Sequence, residues 1–410
     1  MKEFPRHWDM AQRERMGRVE ALTGMAGMVG GYRIAHVSGT NGKGSICAFL
    51  QSILMQKYQR VGMYVSPHVV EECERIRIND RYIPYNTLKE LMERARRNRA
   101  DATIFEQYTA AALWYFEGEK PDAAVIEAGI GGAMDITNIV DPAVTITGAM
   151  GLDHTSWLGE DIKEVARQKA GIAKPGTPMI LYPLQELEAK KAFLEECERI
   201  GAEVILPDET SLSIQPTPKG QKIDFQVGGE RVETELSLLG DYQAYNALTA
   251  AYAAKQMGCS KKEIEQGLRR TVWPGRLEQV CEQPIILFDG AHNPQAAAAL
   301  REALEARYPD RHIVLLMAVM EDKQAKEMVD ILMPVCDYAI ATTADPCRGM
   351  PAYQFCALMG EKGMAVQDPK KAYARAKAVC GMDGVLVVCG SLYLPSATGH
   401  YWNQKKQQLF

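Results

Sequence analysis

The chain is short of several things, and each shortage removes a class of protein. Only 7 of its 410 residues are histidine, and none of its 10 cysteines pairs with another at C-x-x-C spacing. A zinc framework is therefore not expected, and scattered single cysteines read as reduced, buried thiols of a cytosolic chain. No apolar run approaches the roughly 18 residues of a membrane helix, and the charged start, MKEFPRHWDMAQRERMG, has no apolar core of a secretory signal. Basic excess is missing too: 47 Lys and Arg face 52 Asp and Glu, a net charge of −5, which argues against nucleic acid as a partner. Internal repeats and low-complexity segments are absent. What remains is an ordinary globular composition, 47% hydrophobic and 24% charged, which excludes disordered and fibrous classes. At roughly 150 residues per domain the length allows two or three domains. The expected state is a cytoplasmic monomer with neither membrane nor nucleic-acid partner.

Strand-like apolar runs alternate with helical patterns almost to the end. Those that stand out are 34–37 (IAHV), 123–129, 144–150, 178–181, 313–319, 338–344 and 384–390. Continuous apolar strands between helices predict parallel α/β sheets covered on both faces. One stretch differs. Ile223, Phe225 and Val227 alternate up to Gly228-Gly229, and Val232, Thr234 and Leu236 alternate after it, which predicts a hairpin. In VWPGRLE (272–278), Pro274-Gly275 interrupts helical sequence and the strand PIILFDG follows. Two domains are expected: residues 1–272, with a small antiparallel insert at about 203–238, and residues 276–410, a smaller Rossmann-like α/β domain.

The run IAHV leads into SGTNGKGS (38–45) and then into helical sequence. A phosphate cradle has this order: glycines let backbone N–H groups close on the phosphates, a lysine reaches the terminal ones, and the helix N-terminus adds its dipole. The common form is G-x-x-x-x-G-K-[ST]. Here Val37 fills the first glycine slot and Gly44 follows Lys43, so Ser45 comes one residue late. A glycine-rich turn with an incidental lysine is the alternative. Nucleotide contacts from Asn41, Gly42, Lys43, Gly44 and Ser45 are the expectation.

HVSGTNGKGS resembles the phosphate loop of the folylpolyglutamate synthase and dihydrofolate synthase family within the Mur ligases. Further segments match in that family's order: SPHVVEECERIRIND, TIFEQYTAAALWYF, IEAGIGGAMDITNIV, GLDHTSWLGEDIKEVARQKAGIAKPG, LLGDYQAYNA, WPGRLE, DGAHNP and CGSLYL. Together they run from about residue 15 to 394. The resemblance implies a phosphate-loop ATPase domain followed by a glutamate-ligase domain.

Glu127 ends an apolar strand just before a glycine-rich turn, where NTPases hold Mg²⁺; a solvated strand-end carboxylate is the alternative. The resemblance makes Glu127, Ser66 of SPH and His154 of GLDH metal ligands. It makes Lys169 of KAG a carbamate, formed with CO₂ and able to hold a second Mg²⁺; a last-turn lysine serving the helix dipole is the plainer reading. Lys43, Lys169 and His154 are thereby the catalytic set. Asn246, Arg276 and Asp289 resemble nucleotide contacts, with Arg276 at the hinge between domains. His292 and Ser391 resemble the receivers of the incoming amino acid. Phe105, Glu106, Met134, Asp135 and Ile136 resemble the segments facing the pterin-bearing substrate, although Phe105 suits a core equally well. Ala133 departs from the large residue the family often has after its G-I-G-G, and this bears on pocket shape.

The implied reaction is ATP-dependent ligation of L-glutamate to a folate carboxylate through an acyl phosphate, with dihydropteroate a further possible acceptor. A Mur-type ligase acting on a UDP-linked cell-wall precursor and an ATP-binding scaffold without chemistry are the competing readings.

Overall fold

Apolar runs without alternation form strands that bury both faces, and the chain uses them in two sheets. The computed structural model describes residues 9–25, 27–153 and 155–399. Packing divides it into two units. The first takes the chain up to Ser66, then Glu72–Ser237 and Gln243–Val272; the second takes Pro67–Glu71, Leu238–Tyr242 and the chain from Trp273.

The main sheet of the first unit has strands β1 (Arg33–Ser38), β2 (Val61–Tyr64), β3 (Ile76–Ile78), β4 (Arg81–Tyr82), β5 (Ala123–Glu127), β6 (Val144–Thr147), β7 (Met179–Leu181) and β8 (Val204–Ile205). Their spatial order is β4-β3-β2-β5-β1-β6-β7-β8. From β2 to β8 the neighbours are parallel, and β3 and β4 add an antiparallel edge. The helices Met10–Thr23, Tyr85–Asn98 and Ile104–Glu119 share one apolar layer with Ile34, Tyr64 and Ile126 of the sheet. The helix Lys43–Leu54 packs against Lys261–Arg270. Only glycine fits at 267, because a β-carbon there would lie 2.3 Å from Ile53 Cα.

A three-stranded antiparallel sheet follows, with β9 (Ser213–Thr217), β10 (Gly220–Val227) and β11 (Glu230–Leu236) in the order β11-β10-β9. The β10–β11 turn is Gly228-Gly229, with φ of 57° and 78°, as a two-residue hairpin with two positive φ values requires. This small sheet begins later than the expected 203, since Val204–Ile205 pairs with β7 in the main sheet.

The second unit holds β12 (Glu278–Glu282), β13 (Ile285–Phe288), β14 (Ile313–Met317), β15 (Tyr338–Ala341), β16 (Gly363–Ala365) and β17 (Val385–Cys389), ordered β12-β13-β17-β14-β15-β16. All neighbours are parallel except β12, which runs antiparallel to β13. The helices Pro294–Arg307 and Ala325–Leu332 cover one face and Pro369–Cys380 the other. PIILFDG is thus the second strand after the 272–278 segment. All ten cysteines are free, but the expectation of uniform burial needs correcting: Cys281 and Cys356 are half-buried and Cys347 is exposed. No helix among the described residues is long and apolar enough to cross a membrane.

Candidate active site

β1 lies between β5 and β6 and delivers SGTNGKGS to the C-terminal edge of the parallel strands. That edge is where open α/β sheets bind ligands. Two loop glycines have structural reasons. Gly39 has φ 139° and a β-carbon there would lie 2.9 Å from Gly148 N; Gly42 has φ 82° and its β-carbon would lie 2.5 Å from Asn246 Oδ1. Asn246 is therefore packed on the loop itself, with Nδ2 donating to Gln243 Oε1 at 3.1 Å. Thr40 N and Asn41 N both donate to Ala149 O, at 2.9 and 3.0 Å. Gly44 and Ser45 are buried in the first turn of the helix that starts at Lys43. Lys43 Nζ folds back to donate to Gly39 O at 3.0 Å and Thr40 O at 3.2 Å. The cation thus sits over the cradle, held by weak acceptors that a phosphate oxygen would outcompete.

Glu127 ends β5 in register with Val37 of β1 and is buried. Its Oε2 accepts from Ser66 N at 3.2 Å, so residues 66 and 127 meet at one edge of the loop. His154 lies outside the described residues. Among those described, no cluster of three or more His, Cys, Asp and Glu is placed to hold a metal.

Lys169 lies in the last turn of the helix Ile162–Ala170 and is 2% exposed. Ser38 Oγ donates to its carbonyl at 3.2 Å, tying that turn to the end of β1. Burial above all, then the Lys43 ammonium, pull the Lys169 pKa down to about 7 against the opposing pull of Asp153 and Asp135. A last-turn lysine that served the helix dipole would be solvated and charged; this one is buried and poised to lose its proton.

The segments expected to face the acceptor divide into two kinds. Phe105 stacks on Tyr64, ring centroids 6.3 Å apart, and covers Gly129; Met134 is exposed at 38%. Glu106 is already occupied. It closes a capping box with Thr103, accepting from Thr103 N at 2.7 Å, and binds Arg15 Nη1 at 3.1 Å and Arg18 Nε at 2.8 Å. The pattern T-I-F-E at 103–106 is the sequence signal for that role. Ile136 is core. Asp135 is buried and accepts from Gly129 N, Ile130 N and Thr137 N, each at 2.9 Å, and from Thr137 Oγ1 at 2.5 Å. Glu106, Asp135 and Ile136 are thus buried beside the glycine loop, and the two carboxylates already accept hydrogen bonds from the protein. Thr137 spends its hydroxyl proton on Asp135, so it accepts from His36 Nε2 at 2.9 Å. Ala133 N donates to Gln168 O at 2.7 Å, and its methyl group faces Gly171, where any β-carbon would lie 2.3 Å away.

In the second unit, Asp289 follows β13, is buried, and accepts from Leu277 N at 2.7 Å and Ala291 N at 2.8 Å. Burial pushes its pKa up, opposed by Arg276 and those backbone bonds. Arg276 Nη1 donates to Gly275 O at 3.1 Å and lies where a β-carbon on Gly290 would be. His292 Nδ1 meets Gly290 O at 2.7 Å, and Ser391 Oγ accepts from Tyr393 N at 3.2 Å. These residues gather at the C-terminal ends of β13 and β17.

A glycine-lysine loop at the edge of a parallel sheet, with a strand-end carboxylate beside it and a second parallel α/β unit, places the chain in the class of two-unit α/β proteins with a phosphate-loop-type first unit. Two family models match: Mur ligase middle domain over residues 37–254 and Mur ligase, glutamate ligase domain, over 275–392. Folylpolyglutamate synthase of Lacticaseibacillus casei is 33% identical over 387 residues, covering 89% of each chain. A probable bifunctional folylpolyglutamate synthase/dihydropteroate synthase of Haloferax volcanii is 33% identical over 91% of this chain; the chain spans about half that relative's length (46%). The chain belongs to the folylpolyglutamate/dihydrofolate synthase branch of the Mur ligase family. Among solved structures, Mycobacterium tuberculosis folylpolyglutamate synthase complexed with ADP superposes with TM-score 0.89 at 25% identity, covering 97% of this chain and 95% of that one. A bifunctional folylpolyglutamate synthase/dihydrofolate synthase with Mn, AMPPNP and L-glutamate bound gives 0.81 at 27%, covering 98% of this chain and 96% of that one.

Proposed function

We propose that this chain joins L-glutamate to the carboxylate of a folate at the expense of ATP, with tetrahydrofolate as acceptor and dihydropteroate as a second one. The observation that carries the reading is the meeting of Lys43, Glu127 with Ser66, and the buried Lys169 around one glycine loop. The relatives' names and the ADP, AMPPNP and L-glutamate in their structures support it.

The acceptor carboxylate attacks the γ-phosphorus of ATP, ADP leaves, and an acyl phosphate forms. The glutamate amine then attacks the acyl carbon, phosphate leaves, and the amine's proton passes to solvent. Lys43 releases the loop carbonyls and binds the β- and γ-phosphate oxygens. Glu127, Ser66 and His154 would hold Mg²⁺, which supplies charge neutralisation at the phosphates; the buried Glu127 carboxylate at the strand end fits that group. Lys169 as a neutral amine takes up CO₂ and gives up one proton, and the resulting anion suits a second Mg²⁺. Asn246, Arg276 and Asp289 serve the nucleotide, His292 and Ser391 the incoming glutamate, and Phe105 and Met134 the acceptor. We place the enzyme in the cytoplasm, where folates and ATP are available, as a monomer.

The test is phosphate release by the whole chain with Mg-ATP and glutamate, comparing tetrahydrofolate, dihydropteroate and no acceptor. Release that needs both glutamate and a folate or pteroate supports the reading. Release indifferent to the acceptor, or none, overturns it.

A further inference from the structure

Asn138 and Lys174 have no role so far, yet both place strongly polar groups inside the first unit; Asn138 is 0% exposed and Lys174 4%. Asn138 sits in the short helical turn Ile136–Ile139, just after the glycine loop. Its Nδ2 donates to Ala133 O at 3.1 Å and to Gly171 O at 3.0 Å, while its Oδ1 accepts from Lys174 Nζ. Turning the amide over would set an acceptor against two carbonyls and a donor against the lysine, so only one orientation satisfies the site. Lys174 is itself anchored, donating to Ile172 O at 3.1 Å. A lysine nitrogen keeps N–H groups whether protonated or neutral, so this bond holds in both forms.

The two carbonyls that Asn138 bridges belong to different parts of the site. Ala133 closes the glycine loop that faces the acceptor, and Gly171 caps the helix that carries Lys169. The two parts also touch directly, through Ala133 N to Gln168 O at 2.7 Å and at Gly132, where a β-carbon would lie 2.8 Å from Lys169 O. We infer that Asn138, its amide locked by Lys174, is a positioning residue that fixes the Lys169 turn against the acceptor loop. Neither side chain need touch substrate. The catalytic consequence rests on the ligase reading above; the bridge itself rests on the hydrogen bonds.

Asn138→Asp tests this directly, since aspartate keeps an acceptor for Lys174 but loses both donors. Two readouts on the full chain are required. Amide hydrogen exchange should speed up together in 129–134 and 168–173 while the helix 43–54 keeps its protection. The kcat should fall about 100-fold, the scale of a misplaced reacting group, with the KM for ATP unchanged. Lys174→Met, which frees the amide to turn, should produce a smaller change of the same kind, and it decides the matter if the aspartate variant does not fold. Wild-type exchange in both segments overturns the bridge, and loosened segments with wild-type kcat overturn the positioning role. If the wild type shows no acceptor-dependent phosphate release, the ligase reading fails and exchange alone judges the bridge.

Discussion

Lys169 bears a charge that its surroundings make costly, and this has a signed pH consequence. Burial first, and Lys43 second, lower its pKa from 10.5 to about 7. Between those values the unfolded chain binds more protons than the folded one, so stability rises with pH across the window. Lys169→Met removes that slope, while Lys174, shifted to the same value, is common to both proteins and cancels. In bicarbonate-free buffer the Met variant should melt above wild type at pH 7 and below, with the gap closing toward pH 10. A gap independent of pH would count against a buried, deprotonating lysine. Lys43→Ala is the complementary case. Its side chain bonds only loop carbonyls, so the fold should survive while turnover drops on the order of 10²–10³-fold. The motif in the sequence picked out Lys43 at once. For Lys169, position in the helix alone read as a dipole lysine and only the resemblance pointed further, because its burial is set by the tertiary packing around it.

At the scale of the element, the helix Ile104–Glu119 shows how a site reading and a structural reading compete. Its first turn holds Phe105, which covers Gly129, and Glu106, which accepts from Thr103, Arg15 and Arg18. Desolvation pushes the Glu106 pKa up, but the bonds from Arg18 and Thr103 outweigh it and hold it below the usual carboxylate value. Its stabilisation is therefore present above the unfolded pKa, near 4.5, and is lost as pH falls through the lower folded one. Glu106→Ala should cost about 1.5–3 kcal/mol in urea denaturation at pH 7 and less at pH 3, leaving acceptor KM nearly unchanged. A large rise in KM with no loss of stability would instead put Glu106 at the substrate. The strands divide similarly. Continuous apolar runs such as β5, β14 and β17 were legible because both faces are buried. The two-residue β4, and β12, whose residues are half-buried or exposed, were not, because their pairing comes from neighbours and not from their own composition.

For the whole molecule, the two units have separate apolar cores, so a ligand held mainly by one stabilises that one most. A non-hydrolysable ATP analogue at 100 times its Kd adds about 2.7 kcal/mol to the state that binds it. Hydrogen exchange should slow most in β1, β5 and β6 and less in β14 and β17, and Lys43→Ala should blunt the effect. Equal slowing in both units would contradict a phosphate site built on β1.

The sequence by itself determined the alternation of strand and helix, the Gly-Gly hairpin, the phosphate loop and the family, because these depend on local periodicity, turn chemistry and ordered motifs. Tertiary structure alone decided which polar residues are buried and what they bond to. Glu106, Asp135 and Asn138 all look available as letters in a chain. Only packing shows that Arg18, the amides of Gly129 and Ile130, and the carbonyls of Ala133 and Gly171 already take up their hydrogen-bonding capacity. A side chain's partners are set by residues distant in sequence, and a buried polar group must satisfy those partners before it can serve anything else.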